Sequence, residues 1–282
     1  MENNSRIPTV VIEPKKGWQI LNIKELVEYR DLFKIMVQRD VSLLYKQTIL
    51  GFAWAVIVPV FTMLVFTVVF GKLAKIGPSG LPYPLFSFAA LVPWTYFNQA
   101  VTNSTNSLIT QSSILTKVYF PRLIIPLTPI FAKMVDFGIS LGVMLIIMFI
   151  YRYDFAINYN IFYLPVFVVL MMMFAAGIGM WLSALAIQYR DVKFAITFLI
   201  TIMMYAAPVV YSAVDRVPGK YWAVYGLFPL AGILEGFRAC LIGNPIQMPW
   251  VMILPGVLVT FVIFLTGAMY FRRMEKVFAD VA

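Results

Sequence analysis

The chain has 282 residues, 61% of them apolar and 12% charged, with a net charge of +9 and a mean hydropathy of +0.85. A soluble domain carries about a quarter charged residues, so the bilayer is the solvent for much of this chain. A single cysteine, Cys240, and no histidine exclude an internal disulfide, a multi-cysteine metal site and the commonest general base.

Residues 1–21 hold Pro8, Pro14, Lys15, Lys16 and Gly17 and read as a loose tail. A helix follows, with Asn22 as N-cap and Glu25 three residues on, while Leu21 and Leu26 take the staple positions. Leu26, Tyr29, Phe33, Met36, Val37 and Leu44 recur at helical spacing, and most of the charge falls on another face. Residues 22–49 are therefore expected to be an amphipathic helix, lying either in the membrane interface or on a partner's surface. No cleavable signal peptide is visible before it.

Residues 50–282 are expected to form one domain of six transmembrane helices. The first span covers about Gly51 to Phe70, with Pro59 as a bend, and a turn-rich loop runs from Gly71 to Pro84. The second covers Leu85 to Ile109, and its latter half is polar, from Asn98 and Gln99 to Ser107. Such groups belong against protein or an aqueous path rather than lipid. Residues 110–122 are too short and polar to cross. The third span, Leu123 to Ile150, contains Lys133 and Asp136 on one helical face. This pair is a functional candidate, or else an ion pair between helices.

The fourth span covers Tyr159 to Ile187, where Gly177 and Gly179 allow close helix contact. A short charged loop with Tyr189, Arg190 and Asp191 leads to the fifth, Phe194 to Ala213, and the sixth is Trp250 to Phe271. Residues 214–249, with Glu235 and Arg238 in an apolar middle, are too short to cross and return, so a pair of re-entrant or interfacial helices is expected there. With both termini on one side, 15 Lys and Arg fall on that side and 6 on the other, as cytoplasmic termini require. This basic excess accounts for the net charge without nucleic acid.

The chain is expected neither to hydrolyse nucleotide nor to drive transport by itself. Gly71-Lys72 and Gly219-Lys220 lack the preceding glycine and following Ser or Thr of a phosphate loop, and no dinucleotide fingerprint occurs. Asp136 and Glu235 are the main intramembrane acids, too few for a proton-coupled transporter.

Several segments together resemble the membrane subunits of bacterial ABC exporters for polysaccharides. Arg39-Asp40 and Tyr45-Lys46 lead into Leu50-Gly51-Phe52-Ala53-Trp54; Leu115-Thr116-Lys117-Val118-Tyr119-Phe120-Pro121-Arg122 precedes the third span. Tyr189-Arg190-Asp191-Val192 links spans four and five, and Phe228-Pro229-Leu230 is followed by Ile233-Leu234-Glu235-Gly236-Phe237-Arg238. The resemblance covers nearly the whole chain from Asn22.

It implies a homodimer in the bacterial cytoplasmic membrane with two separate ATPase subunits, which bind the ATP and Mg, so that this chain holds no cofactor. A lipid-linked glycan, O-antigen first among the possible cargoes, passes between the membrane subunits. Leu115, Lys117, Tyr119, Phe120, Arg122, Arg190 and Asp191 become candidates for the ATPase contact. Aromatic side chains hold sugars without trapping them, which makes Trp54, Trp94, Tyr96, Phe97, Tyr205 and Tyr211 candidate path residues; as interface markers they would serve membrane lipids instead. Arg238 and Lys220 on one side, and Arg39, Lys46 and Arg122 on the other, are candidates for a phosphate-bearing headgroup. Capsule polymer, teichoic acid, a drug or a lipid are the alternative cargoes, and a membrane-embedded transferase using Asp136 or Glu235 is the alternative of another class.

Overall fold

The computed structural model describes residues 23–46, 53–77, 81–112, 120–151, 159–189, 191–243 and 246–275. They are all-helical, with no strand among them. The expected Asn22 cap lies outside the described residues.

Helix α1 (Ile23–Glu28) gives way at Tyr29, which leaves helical geometry (φ −93°, ψ 17°), and α2 (Arg30–Tyr45) restarts at once. The periodicity of the sequence does not contain this break. The apolar side of α2 sits on the chain's own third span, where Phe33 meets Phe131 edge-on with centroids 5.1 Å apart and Met36 is buried.

Helix α3 (Ala53–Phe66) contains Pro59 and continues as a π-helical turn, Thr67–Leu73, three residues past its expected end. The chain turns through Lys75 at φ 51°, and Pro82, in extended geometry, starts α4 (Tyr83–Thr110), with Pro84 in its first turn. At 28 residues α4 is about 42 Å long. It is the axis of the fold, packing on α3, on α5 (Ile124–Ile150) and on α6 (Leu164–Ala186). A 3-10 turn, Tyr159–Tyr163, leads into α6.

Part of the polar half of α4 is satisfied inside the protein, whereas Asn103 is exposed and Asn106 Oδ1 is buried without a hydrogen-bond partner among the described residues. Ser104 Oγ donates to the Pro126 carbonyl of α5 at 2.7 Å, Ser107 Oγ to the Ser104 carbonyl at 2.6 Å, and Thr105 Oγ1 to the Val101 carbonyl at 2.8 Å. These bonds satisfy groups that lipid could not.

Helix α7 (Val192–Ala206) stops early, because Ala207 is extended ahead of Pro208, whose ring disfavours a helical residue before it. The short α8 (Ala213–Arg216) and a 3-10 turn, Gly219–Tyr221, follow. Then α9 (Trp222–Gly226) and α10 (Pro229–Leu241) meet across a break, bent by 113°. Helix α11 (Trp250–Met274) closes the chain, with Arg272 and Arg273 in its last turn against the negative end of the helix dipole.

Among the described residues, four helical stretches are long and apolar enough to cross a membrane: Ala53–Leu73, Ile124–Ile150, Tyr159–Ala186 and Trp250–Met274. The bent pair would make five. The expected second and fifth spans do not meet both criteria. Helix α4 has the length but is diluted by its polar residues, and α7, at 15 residues, is about 22 Å long.

Helices α6 and α11 cross closely. A Cβ on Gly177 would lie 2.8 Å from the Phe264 backbone, and one on Gly267 would lie 2.4 Å from the Gly177 carbonyl oxygen. Small residues at such a crossing allow backbone-to-backbone packing where no hydrophobic force drives association. Trp181 stacks on Tyr270 beside it, centroids 4.5 Å apart. The core joins Phe97 to Phe174 and Phe137 to Phe237, with Cys240 enclosed in α10. By contrast α3 with its π-helical continuation, and α7, present open apolar rows, among them Phe61, Leu64 and Val68 on the first and Phe194, Phe198 and Ile202 on the second.

Candidate functional site

Helix α5 carries Lys133 and Asp136 one turn apart, and the structure pairs them, Lys133 Nζ to Asp136 Oδ2 at 2.8 Å. The pair lies within one helix and does not bridge two. The second helix enters through Tyr45, the last residue of α2, whose phenol donates to Asp136 Oδ1. Burial, then the Asp136 hydrogen bond and charge, hold the Tyr45 phenol well above its ordinary range, so it stays a donor.

These three residues line one wall of a cleft of about 220 Å³ where α2, α3, α4 and α5 converge. Trp54 of α3 and Tyr96 of α4 line it as well. The Tyr96 hydroxyl is anchored on the Ile130 carbonyl at 3.1 Å, which fixes the ring. Thr95, Gln99 and Ser140 complete the polar lining.

The remaining aromatic candidates lie elsewhere. Trp94 and Phe97 are buried within the protomer, Phe97 stacked on Phe174. Tyr205 is exposed on α7. Tyr211 lies beyond the end of α7, its hydroxyl bonded to that of Tyr225 at 3.0 Å and to the Ala206 carbonyl at 3.1 Å.

Arg238 requires a correction as a headgroup ligand. Its side chain is fully buried and already makes four hydrogen bonds within the chain. Nε reaches the Phe86 carbonyl (3.3 Å), Nη1 the Tyr211 carbonyl (3.0 Å) and Glu235 Oε1 (3.1 Å), and Nη2 the Val209 carbonyl (2.7 Å). The guanidinium also lies over the Phe86 ring, 3.9 Å from its centroid. Glu235, 1% exposed, accepts from the Ala213 amide at 2.6 Å. The two residues tie the segment after α7 to α10 and α4, and Glu235 is closed to any transfer substrate. Lys220 is exposed, with its ammonium 4.9 Å from the centre of the Tyr221 ring.

At the opposite end, Phe120 is 5% exposed and packs into the core. Arg122 donates through Nη1 to the Glu275 carbonyl at 2.5 Å, while its amide bonds Glu275 Oε1 at 3.3 Å, joining the start of α5 to the end of α11. Asp191 is exposed and starts α7. Arg39 pairs with its neighbour Asp40 at 2.8 Å. Leu115, Lys117, Tyr119 and Arg190 lie outside the described residues.

Helices of this length and apolarity, packed around a polar axis that lipid could not solvate, define a multi-pass membrane protein. The chain belongs to the ABC-2 type transporter family, whose description matches residues 31–242. Members of that family are the membrane subunits of transporters rather than catalytic chains, and they work with an ATP-binding-cassette ATPase.

Two O-antigen export system permease proteins RfbA of Klebsiella pneumoniae are each 24% identical, over 251 and 253 residues, covering 89% of this chain and 95% of theirs. An O-antigen export system permease protein RfbA of Myxococcus xanthus is 28% identical over 221 residues, 77% of this chain and 82% of its own.

Proposed function

We propose that this chain is the transmembrane subunit of an exporter that moves a lipid-linked polysaccharide, O-antigen, across the bacterial cytoplasmic membrane. The observation that carries this reading is the similarity to O-antigen export permeases over 95% of their length. The subunit acts as a homodimer with two ATPase subunits, and the glycan passes between the two copies. The open apolar rows on α3 and α7 support a surface completed by lipid and by a second copy. In this reading α4 and α7 complete six spans, both termini face the cytoplasm, and the bent pair α9–α10 forms a re-entrant element on the outer side. The basic-residue asymmetry supports that orientation.

Mechanistically, the ATPase acts on the cytoplasmic end, where 110–122 and the loop before α7 lie. Arg122 links that end to α11 through Glu275, so a displacement there reaches α5 and α11 together. On the outer side, the Arg238–Glu235 tie joins α10 to the segment after α7.

The test is export in a strain deleted for this chain, scored by O-antigen at the cell surface, together with co-purification of an ATP-binding-cassette ATPase from the same cells. Restored surface polymer and a stable complex whose ATPase activity changes on altering 117–122 are expected. A well-folded chain that binds no ATPase and restores no polymer overturns the reading.

A further inference from the structure

We propose that the cleft between α2, α3, α4 and α5 is a binding subsite for a single neutral sugar ring. It rests on the polysaccharide-export reading and assigns that cargo a specific contact within one protomer.

Ser140 is 5% exposed and Lys133 8%, and both line the cleft. Among the described residues, the side chains of Ser140, Thr95 and Gln99 make no hydrogen bond, and Lys133 spends only one of its three donors, on Asp136. Buried Ser140 and Lys133 and half-buried Thr95 and Gln99 bring spare hydrogen-bonding capacity to this cleft, which suits a ligand rich in hydroxyl groups.

Charge narrows the class. Lys133 and Asp136 neutralise each other at 2.8 Å, so the wall presents donors and acceptors with no net charge. An anion such as a phosphate would meet the Asp136 carboxylate beside the ammonium. Vicinal hydroxyls, each both donor and acceptor, match this pairing without an ionic conflict.

Shape narrows it further. A cleft of about 220 Å³ is smaller than the roughly 300–1,000 Å³ of sites for drug-sized ligands, and it suits one sugar ring. Trp54 supplies an aromatic face at the edge, 49% exposed, on which the apolar C–H face of a pyranose can lie. Leu44 and Tyr45 of α2 line the cleft, so a sugar held there lies against the helix whose Tyr45 bonds Asp136.

The experiment uses the full chain assembled with its ATPase in nanodiscs and probes it with a panel of methyl hexopyranosides by saturation-transfer NMR. The native chain is compared with Thr95→Val/Gln99→Leu, which removes hydrogen-bonding groups at similar volume, and with Ser140→Ala. We expect saturable transfer from at least one glycoside, competed by the free O-antigen repeat oligosaccharide and at least tenfold weaker in the double variant. Phosphatidylglycerol headgroup and inorganic phosphate should not compete.

Absence of saturable transfer, equal transfer in native and variant complexes, or competition by phosphate overturns the subsite. Surface O-antigen is scored for the same variants. If the native chain exports O-antigen while no glycoside binds, the subsite fails and the export reading stands. If it exports none, the export reading fails with it.

Discussion

Replacing Arg238 with Met tests the tie between α10 and the segment after α7. Met keeps much of the volume but removes four hydrogen bonds and the contact with Phe86. It leaves Glu235 enclosed with the Ala213 amide and no cation, and it strips the carbonyls of Phe86, Val209 and Tyr211 of these donors. Removing one member of a buried ion pair costs about 3–5 kcal/mol, and each carbonyl that loses its donor adds about 1 kcal/mol. A loss of about 4 kcal/mol or more is therefore expected, read by reversible denaturant unfolding in mixed micelles.

Arg238→Met/Glu235→Leu removes the stranded carboxylate and should recover about half of that loss, since an apolar replacement of a whole buried pair is often near neutral. Arg238→Lys keeps the charge but lacks the planar fork that reaches several acceptors at once, and should fall between. The reasoning is refuted if Arg238→Met unfolds within about 1 kcal/mol of the parent, or if the double-mutant cycle shows no coupling between the two positions.

Gly177→Leu drives a side chain into the Phe264 backbone and should destabilise by about 1–3 kcal/mol. Gly142→Ala, with nothing within 4 Å of the new Cβ, should be neutral or slightly stabilising by thermal shift. Tyr45→Phe removes the bond from α2 to Asp136 and should cost about 1 kcal/mol, seen as faster hydrogen exchange confined to α2. Because the Tyr45 phenol is raised in the folded state, its contribution is complete below its ordinary pKa of 10.0. It is lost only as pH rises through the raised value. Exchange in α2 should therefore be flat across neutral pH and accelerate only in strong alkali.

The helices that carry a strong local signal were legible in the sequence. Ile124–Ile150 and Tyr159–Ala186 fall within a residue of the expected third and fourth spans, because uninterrupted apolar runs and flanking polar residues mark both ends. The inward use of Ser104, Thr105 and Ser107 on α4 was also legible, since lipid leaves them no alternative, whereas Asn103 of the same stretch is exposed. The Lys133–Asp136 pairing followed from helical spacing. The Tyr45–Asp136 bond did not, because its partners are 91 positions apart and no local pattern joins them. Arg238 misled for a related reason. A lone arginine beside a turn looks like a phosphate ligand, and its backbone carbonyl partners on other elements leave no mark on residue identity. The break at Tyr29 and the π-helical turn after Phe66 were equally invisible, being matters of backbone geometry at residues that suit an ordinary helix.

Cys240, the sole thiol in the chain, is 1% exposed within α10. The natural protein is thus a ready background for site-directed probes, with no cysteine to remove and little competing reactivity towards water-borne reagents. A cysteine placed at Phe61 or Leu64 on α3, or at Phe198 on α7, can carry a spin label or accept a crosslinker. The distance between identical positions in an assembled complex then reports directly where two copies meet.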